Sequence, residues 1–258
     1  RERLIAILTS CFVPCNGRFP TLILLSGFFF AGGNPVAAGG FVFLLIVLAV
    51  SITLLASFLL SKTILRGVPS AFVLELPPYR RPKLGEVIVR SMLDRTIFVL
   101  ARAVTVAIPA GAVIWLCQNI MVNGHTLLYG MATVLEPLGA CMGLSGVILM
   151  AFLLGIPANE IVIPILLMVY SQSGTLVEAE GIAQAGAILA ANGWTWVTAV
   201  CVILFSLNHF PCATTLLTIR KETGSLLWTG VSFLLPTVVG MLLCIAVHLL
   251  ALLVGIFF

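Results

Sequence analysis

Apolar residues run along this chain in long unbroken stretches, of which Phe41–Leu60 is the cleanest. Polar positions fall between the stretches and do not alternate within them. A helix crossing a hydrocarbon layer of about 30 Å needs about 20 apolar residues, whereas strands of a membrane barrel show short alternating segments. The pattern therefore predicts helices. Residues 4–30 form one apolar segment with a break in its middle, Ser10-Cys11-Phe12-Val13-Pro14-Cys15-Asn16-Gly17-Arg18-Phe19-Pro20. Gly32, Gly33, Asn34 and Pro35 predict a turn, and residues 39–65 a clean returning span. Residues 66–83 hold Pro69, Pro77, Pro78 and Pro82 and read as a loop. From Leu84 to Arg95 the pattern turns amphipathic, with Leu84, Val87, Ile88, Ser91 and Met92 on one face and Glu86, Arg90 and Asp94 on another. That predicts an interfacial helix feeding a span over 96–118, with Pro109 inside it.

The second half is less regular. Residues 119–140 are polar and mixed. Residues 144–170 are apolar but interrupted at Gly155-Ile156-Pro157-Ala158-Asn159-Glu160. At a rise of about 1.5 Å per residue, each half reaches only the bilayer midplane; a re-entrant hairpin and a broken span both fit. The 171–193 loop is acidic (Glu178, Glu180) and lacks basic residues, so it is placed outside, which favours the hairpin. Residues 194–219 cross back with a break at Leu207-Asn208-His209-Phe210-Pro211-Cys212, and 226–258 form a last span. The expected fold is all-α: a polytopic helical membrane protein with about six spanning or re-entrant segments, three of them broken by proline.

Composition removes the alternatives. The 258 residues are 61% hydrophobic and 9% charged, against roughly 45–50% and about 25% in soluble domains, too little charge to coat a water-facing surface. The net charge of +4 is no nucleic-acid signal. Eight of the 13 basic residues lie between Lys62 and Arg102, and none between Ala103 and Ile219. Lys/Arg bias marks the cytoplasmic side, so the 61–95 region and Arg220-Lys221 are placed there. Seven cysteines, an odd number sitting mostly in apolar segments, do not read as a disulfide framework. The chain starts at Arg1 with no signal-peptide pattern, as a fragment or processed chain would. It holds no phosphate-loop motif and no His-Glu-x-x-His motif, and no nucleophile–base pair is identifiable by spacing.

The breaks carry the candidate chemistry. Irregular backbone at membrane depth is tolerated only where protein or a water-filled cavity satisfies it. Each break pairs a proline with polar side chains, and each proline frees the carbonyl four residues back: Ser10 for Pro14, Leu153 for Pro157, Leu207 for Pro211, and Glu160 for Pro164. Discontinuous helices of this kind build substrate sites near the midplane of transporters, although a lone proline more often only kinks a helix. Val13-Pro14-Cys15-Asn16 and Ile156-Pro157-Ala158-Asn159 share a pattern, a faint internal repeat. A carboxylate in a span costs roughly 2.5–3.5 kcal/mol, which makes Glu160 either a group facing a cavity or a protonated structural acid. Cys11 and Cys15, spaced i, i+4, share one helix face. With Cys212 and His209 they offer ligands suited to late divalent metals, and Asn159 offers a neutral oxygen. The bland alternative is cysteine as a small apolar packer, the reading accepted for Cys117, Cys141, Cys201 and Cys244. His125 reads as a loop residue and His248 as lipid-side or snorkelling. Arg18 is expected to pair with Glu160 or another acid, or to snorkel. Ser10, Thr21, Thr214 and Thr215 are placed to line the same cavity or cap half-helices.

Several of these stretches together resemble the FeoB-type ferrous iron transporters. They are Leu74-Glu75-Leu76-Pro77-Pro78-Tyr79-Arg80-Arg81-Pro82, Arg3-Leu4 through Cys15-Asn16-Gly17-Arg18, Gly155 through Glu160, Asn208 through Thr214, and Ile219 through Ser225. They occur in the family's order over nearly the whole chain. The resemblance implies import of Fe²⁺ across a bacterial or archaeal cytoplasmic membrane through paired Gate (nucleoside-recognition-like) modules. It implies the end of a first module at 1–65, a cytoplasmic loop and interfacial helix at 66–95, and a second module at 96–258. The family's N-terminal GTP-binding domain and first membrane segments are not in this sequence, so the chain is expected to need them in cis or in trans. The other expected partners are lipid, a small soluble accessory protein and further copies in an oligomer. Cys15, Cys212 and Glu160 are the leading transient ligands, with Cys11, Asn159 and His209 behind them. Fe²⁺ is substrate, and no bound cofactor is expected. Two rivals predict different behaviour: an organic-solute permease coupled to H⁺ or Na⁺ through Glu160, disfavoured by few aromatic residues around the breaks, and a non-transporting scaffold whose breaks are packed dry.

Overall fold

The fold, described by a computed structural model, covers residues 2–63, 65, 83–122, 124–171 and 181–255; the proline-rich loop and the acids Glu178 and Glu180 lie outside the described residues. Helix α1 (Glu2–Thr9) ends in a 3₁₀ turn at Ser10–Phe12, and a second 3₁₀ turn at Asn16–Arg18 leads into α2 (Phe19–Leu25), with Pro20 in its first turn. A π-helical stretch, Ser26–Phe30, carries α2 to the turn. There Gly32 and Gly33 take φ of 54° and 84°, a conformation that favours glycine. Asn34 then caps α3 (Pro35–Lys62), its side chain accepting from the Val36 N–H at 3.0 Å, with proline at the first helical position where its missing N–H costs nothing.

The amphipathic stretch forms α4 (Leu84–Ser91), which runs through a π-helical segment, Met92–Ile97, into α5 (Phe98–Asn119) without interruption. A short hairpin follows, β1 (Met121–Val122) with β2 (His125–Thr126). Next come α6 (Leu127–Cys141), α7 (Gly146–Leu154), a 3₁₀ turn at Asn159–Ile161, α8 (Val162–Tyr170), α9 (Ile182–Ala191), α10 (Trp196–Asn208), α11 (Ala213–Thr223) and α12 (Leu226–Leu253). Three helical stretches are long and apolar enough to cross a membrane: Pro35–Lys62, Trp196–Thr223 taken across its break, and Leu226–Leu253. The pair α6–α7 also qualifies, bent by 112°. The chain is thus an all-helical membrane protein.

Two stretches differ from the sequence expectation. The polar 119–140 region holds the hairpin and all but the last residue of α6, and part of the 171–193 loop is α9. In α6 the polar residues that mask the helix are its fittings. Thr126 caps its start, Pro137 sits inside it, and the Glu136 carboxylate accepts from the Gly146 N–H at 2.6 Å. That last bond closes the bend into α7, where Gly146 lies so near α6 that a β-carbon there would stand 2.0 Å from the Ala132 carbonyl. In α9 the buried stripe is Ala185, Gly186 and Leu189, and the missing side chain of Gly186 lets Phe28 pack onto it.

Helices α7 and α8 form a hairpin. Tyr170, at the end of α8, lies beside Ser145 at the start of α7 and accepts from the Trp194 indole N–H at 3.0 Å. Both ends of the hairpin therefore lie beside the start of α10, and its tip is the break at 155–161. Beside it, the two other broken segments run in opposite directions. The Arg3 guanidinium of α1 pairs with the Glu222 carboxylate at the end of α11, while α2 packs on α10. Helix α12 lies along α10 and α11, and Gly240 brings it close to the third break, since a β-carbon there would meet the Asn208 carbonyl at 2.8 Å. Trp196–Thr223 is the most enclosed span, with 56% of its apolar window buried, against 11% for α3 and 17% for α12. The core, built from residues such as Ile148, Phe152, Ile165, Leu166, Val202 and Phe205, therefore sits between the hairpin and α10, beside the breaks.

Candidate functional site

All three breaks meet at one level of the bundle, and backbone carbonyls decide how. Pro14 frees the Ser10 carbonyl, which accepts from the Val13 N–H at 3.3 Å; Pro157 frees that of Leu153, which accepts from Ile156 at 3.2 Å. Both are closed locally by tight turns. The carbonyl freed by Pro211 is not. Leu207 O accepts from Arg18 Nη1 at 2.9 Å across the bundle. The same guanidinium donates to Cys11 O at 3.3 Å and His209 O at 3.0 Å. Arg18 is only 2% exposed, so one side chain staples the first break to the third. The second break joins them where the Ala213 N–H, at the start of α11, donates to Ile156 O at 2.7 Å.

The expected pairing of Arg18 with Glu160 does not form. Among the described residues the ion pairs are Arg3–Glu222 and Lys83–Glu86. Arg18 holds carbonyl oxygens instead, because Asn16–Arg18 is a 3₁₀ turn that points it into the gap left by Pro211. Around the guanidinium, within electrostatic reach, stand the sulfurs of Cys15, Cys11 and Cys212.

Of the six candidate ligands, three lie in line. His209 is 1% exposed, and its Nδ1 faces the carbonyls of Phe205 and Ser206 at 3.1 and 2.9 Å. Carbonyls only accept, so Nδ1 carries the proton, and a neutral ring turns a lone pair at Nε2 toward Asn159. The Asn159 amide spans the distance from His209 Nε2 (3.4 Å to Oδ1) to Cys15 Sγ (3.7 Å from Nδ2). A half-turn of the amide satisfies all three groups, with its NH₂ on the imidazole and its oxygen on the thiol. Cys15 is exposed while Asn159 and His209 are buried, so the line runs from an accessible sulfur to an enclosed nitrogen.

The remaining three are placed differently. Cys212, half-buried ahead of α11, is held by the hydroxyls of Thr214 and Thr215 at 3.1 and 3.2 Å. Cys11 is buried, its thiol 3.9 Å from the Ile7 carbonyl. Glu160 follows Asn159 but turns outward to an open groove of about 640 Å³ between α2, α8 and α9, walled by Pro20, Ile23, Leu24, Pro164 and Ile182. Gly17 lies against its backbone. Among the described residues no three of His, Cys, Asp and Glu converge as a ready-made metal cage.

Other residues were not apparent as part of the site. Phe152, Phe205 and Phe210 surround the His209 ring, with centroids 5.0, 5.8 and 5.1 Å away, and Phe210 stacks on Phe233 at 4.9 Å. The third break is thus richer in aromatic residues than expected, but the rings are buried against one another. The signal for Phe205 was its place four residues before His209, at the end of α10. His248 is not lipid-side; it packs on Gly143 at the α6–α7 bend. His125 stacks on Tyr129. Arg18 Nε and Asn208 Oδ1 are buried without a protein partner among the described residues.

A helical hairpin meeting two broken helices defines a helical membrane protein of the discontinuous-helix class. Over nearly its whole length the sequence is similar to the C-terminal portion of the FeoB transporters. The family profile described as Ferrous iron transport protein B C terminus matches residues 42–95, and that described as Nucleoside recognition matches 100–226. The Fe(2+) transporter FeoB of Staphylococcus aureus (strain MSSA476) is 29% identical over 256 residues, covering 94% of this chain and 36% of the relative. That of Methanocaldococcus jannaschii is 26% identical over 238 residues (87% and 34%), and that of Campylobacter jejuni 26% over 248 (91% and 39%). The chain thus spans little more than a third of the length of the relatives it matches. No solved structure matches it significantly.

Proposed function

We propose that this chain forms the membrane path of a ferrous iron importer, with the meeting point of the three breaks as the place where Fe²⁺ is handed through. The observation that supports it most is the line Cys15–Asn159–His209, drawn from all three breaks. A divalent cation entering that line meets a sulfur, an amide oxygen and an imidazole nitrogen, a borderline-soft set suited to Fe²⁺ and poorly suited to Mg²⁺ or Ca²⁺. Few, mixed ligands suit an ion that must leave again; a closed Cys₄ cage suits one that stays. Glu160 stands at the groove as the acid that draws cations in, and Cys11 and Cys212 lie within electrostatic reach of Arg18.

In this reading the chain lies, multi-pass, in a bacterial or archaeal cytoplasmic membrane. The basic residues at Arg220 and Lys221 face the cytoplasm and Fe²⁺ moves inward. Residues 1–65 close a first module and 96–258 form a second. A GTP-hydrolysing part and earlier membrane segments, together with a small soluble accessory protein and an oligomeric partner, complete the machine. The enzyme activity belongs to that GTP-hydrolysing part.

The test is anaerobic ⁵⁵Fe²⁺ uptake into proteoliposomes carrying the complete transport system. Cys15→Ser and His209→Ala are expected to abolish most uptake, Glu160→Gln and Cys212→Ser to reduce it. Unchanged uptake in all four would remove the site. An organic-solute permease predicts instead that thiol blockers are without effect. The phenylalanines around His209 give that reading no opening, since each is buried in contact with the imidazole.

A further inference from the structure

Arg18 is unusual for a buried cation. It has no carboxylate partner among the described residues and instead sits in a cage of three backbone carbonyls, Cys11 O, Leu207 O and His209 O. A buried charge is normally paired with an opposite one. Carbonyls released by broken helices are what transport proteins use to coordinate a passing cation. One of the three is free for this purpose only because Pro211 cannot donate to it. The sulfurs of Cys15, Cys11 and Cys212 lie within electrostatic reach of the same guanidinium. The surroundings are therefore those of a cation site, and the cation in it is tethered to the protein. A metal ion in the neighbouring line from Cys15 to His209 would lie in the field of that fixed positive charge.

We propose that Arg18 is a tethered surrogate cation: its guanidinium occupies the carbonyl cage when no metal is present, keeps the first and third breaks joined, and must yield when a divalent ion enters. This rests on the reading of the breaks as a cation route. Residues 13–18 suit the task, because Arg18 is carried on a single 3₁₀ turn after Pro14 and not within a long helix. The guanidinium also explains how the break stays closed without an ion, as the freed Leu207 carbonyl always has a donor.

The experiment is a Co²⁺ titration of this chain in lipid nanodiscs under anaerobic conditions, read by the thiolate-to-cobalt charge-transfer absorption. Arg18→Gln, which removes the competing charge, is expected to bind Co²⁺ at least about tenfold more tightly than wild type. Arg18→Lys keeps the charge and is expected to stay within about threefold of wild type. Equal or weaker binding by folded Arg18→Gln overturns the proposal while leaving the metal route standing. Absence of the thiolate band from every form overturns both. A second measurement avoids the variants. In wild-type protein the Arg18 side-chain ¹⁵N–H signals, protected from solvent exchange in the ion-free state, are expected to lose protection when Cd²⁺ binds. Retained protection with Cd²⁺ on the thiols contradicts the surrogate-cation role.

Discussion

At the residue scale, the site is built from groups that would be costly anywhere else in a bilayer. Cys15, Asn159, Glu160 and His209 were legible because each interrupts an apolar run beside a proline, where the backbone already needs help. Their alignment was not legible. It depends on Asn159 and Glu160 facing opposite ways from one 3₁₀ turn, which spacing alone does not state. The role of Arg18 was hidden for a similar reason. Its partners are carbonyl oxygens, which every residue carries, so a search for an acidic partner pointed to Glu160 and was wrong. Glycines show the same limit. Gly146 reads as an unremarkable start to a helix, yet its missing side chain is what lets α6 and α7 fold back at 112°. Gly146→Ala places a methyl 2.0 Å from the Ala132 carbonyl. Overpacking of this kind costs about 1–3 kcal/mol, seen as a drop of roughly 2–4 °C in Tm per kcal/mol for a chain of this size. Thermal unfolding in detergent is expected to show it, and an unchanged Tm would mean the bend is looser than described.

At the element scale, long periodic stretches were the most secure part of the sequence reading. α3 and α12 carry apolar residues all round, as helices bathed in lipid do, and both were expected, at 39–65 and 226–258, to within a few residues at their ends. α6 and α9 were missed because they are short and carry the polar or small residues that capping and close packing require: Glu136 for the α6–α7 bend, Gly186 for Phe28. The three breaks were found from proline alone, but their consequences differ. Two close on themselves by local turns and only the break at Pro211 exports its carbonyl to a distant donor. Pro211→Ala tests this distinction. It removes a penalty of about 3 kcal/mol on a continuous helix, and the new N–H competes with Arg18 for Leu207 O. The expected result is a protein that keeps or gains helicity by circular dichroism yet loses Fe²⁺ uptake in proteoliposomes carrying the complete transport system. Full uptake by this variant would show that the break serves only to kink α10 from α11.

At the scale of the whole molecule, two antiparallel broken segments and one helical hairpin bring their interruptions together. Exposed apolar surface on α3 and α12 faces outward, while the Trp196–Thr223 span is enclosed, so the third break is buried and the first and second present Cys15 and Glu160 at the surface. Composition and charge placement made the membrane character plain, and the order of the motifs made the likeness to the FeoB transporters plain. The convergence required the folded chain, because contacts such as that between Cys15 and Asn159 link residues 144 positions apart. The central claim is that this meeting point offers a passing Fe²⁺ sulfur and nitrogen in place of water. Iron K-edge X-ray absorption on the Fe²⁺-loaded chain in nanodiscs tests it most directly. The account predicts a mixed shell with a sulfur contribution lost in Cys15→Ser and an imidazole contribution lost in His209→Ala. An all-oxygen shell that neither substitution alters would contradict it.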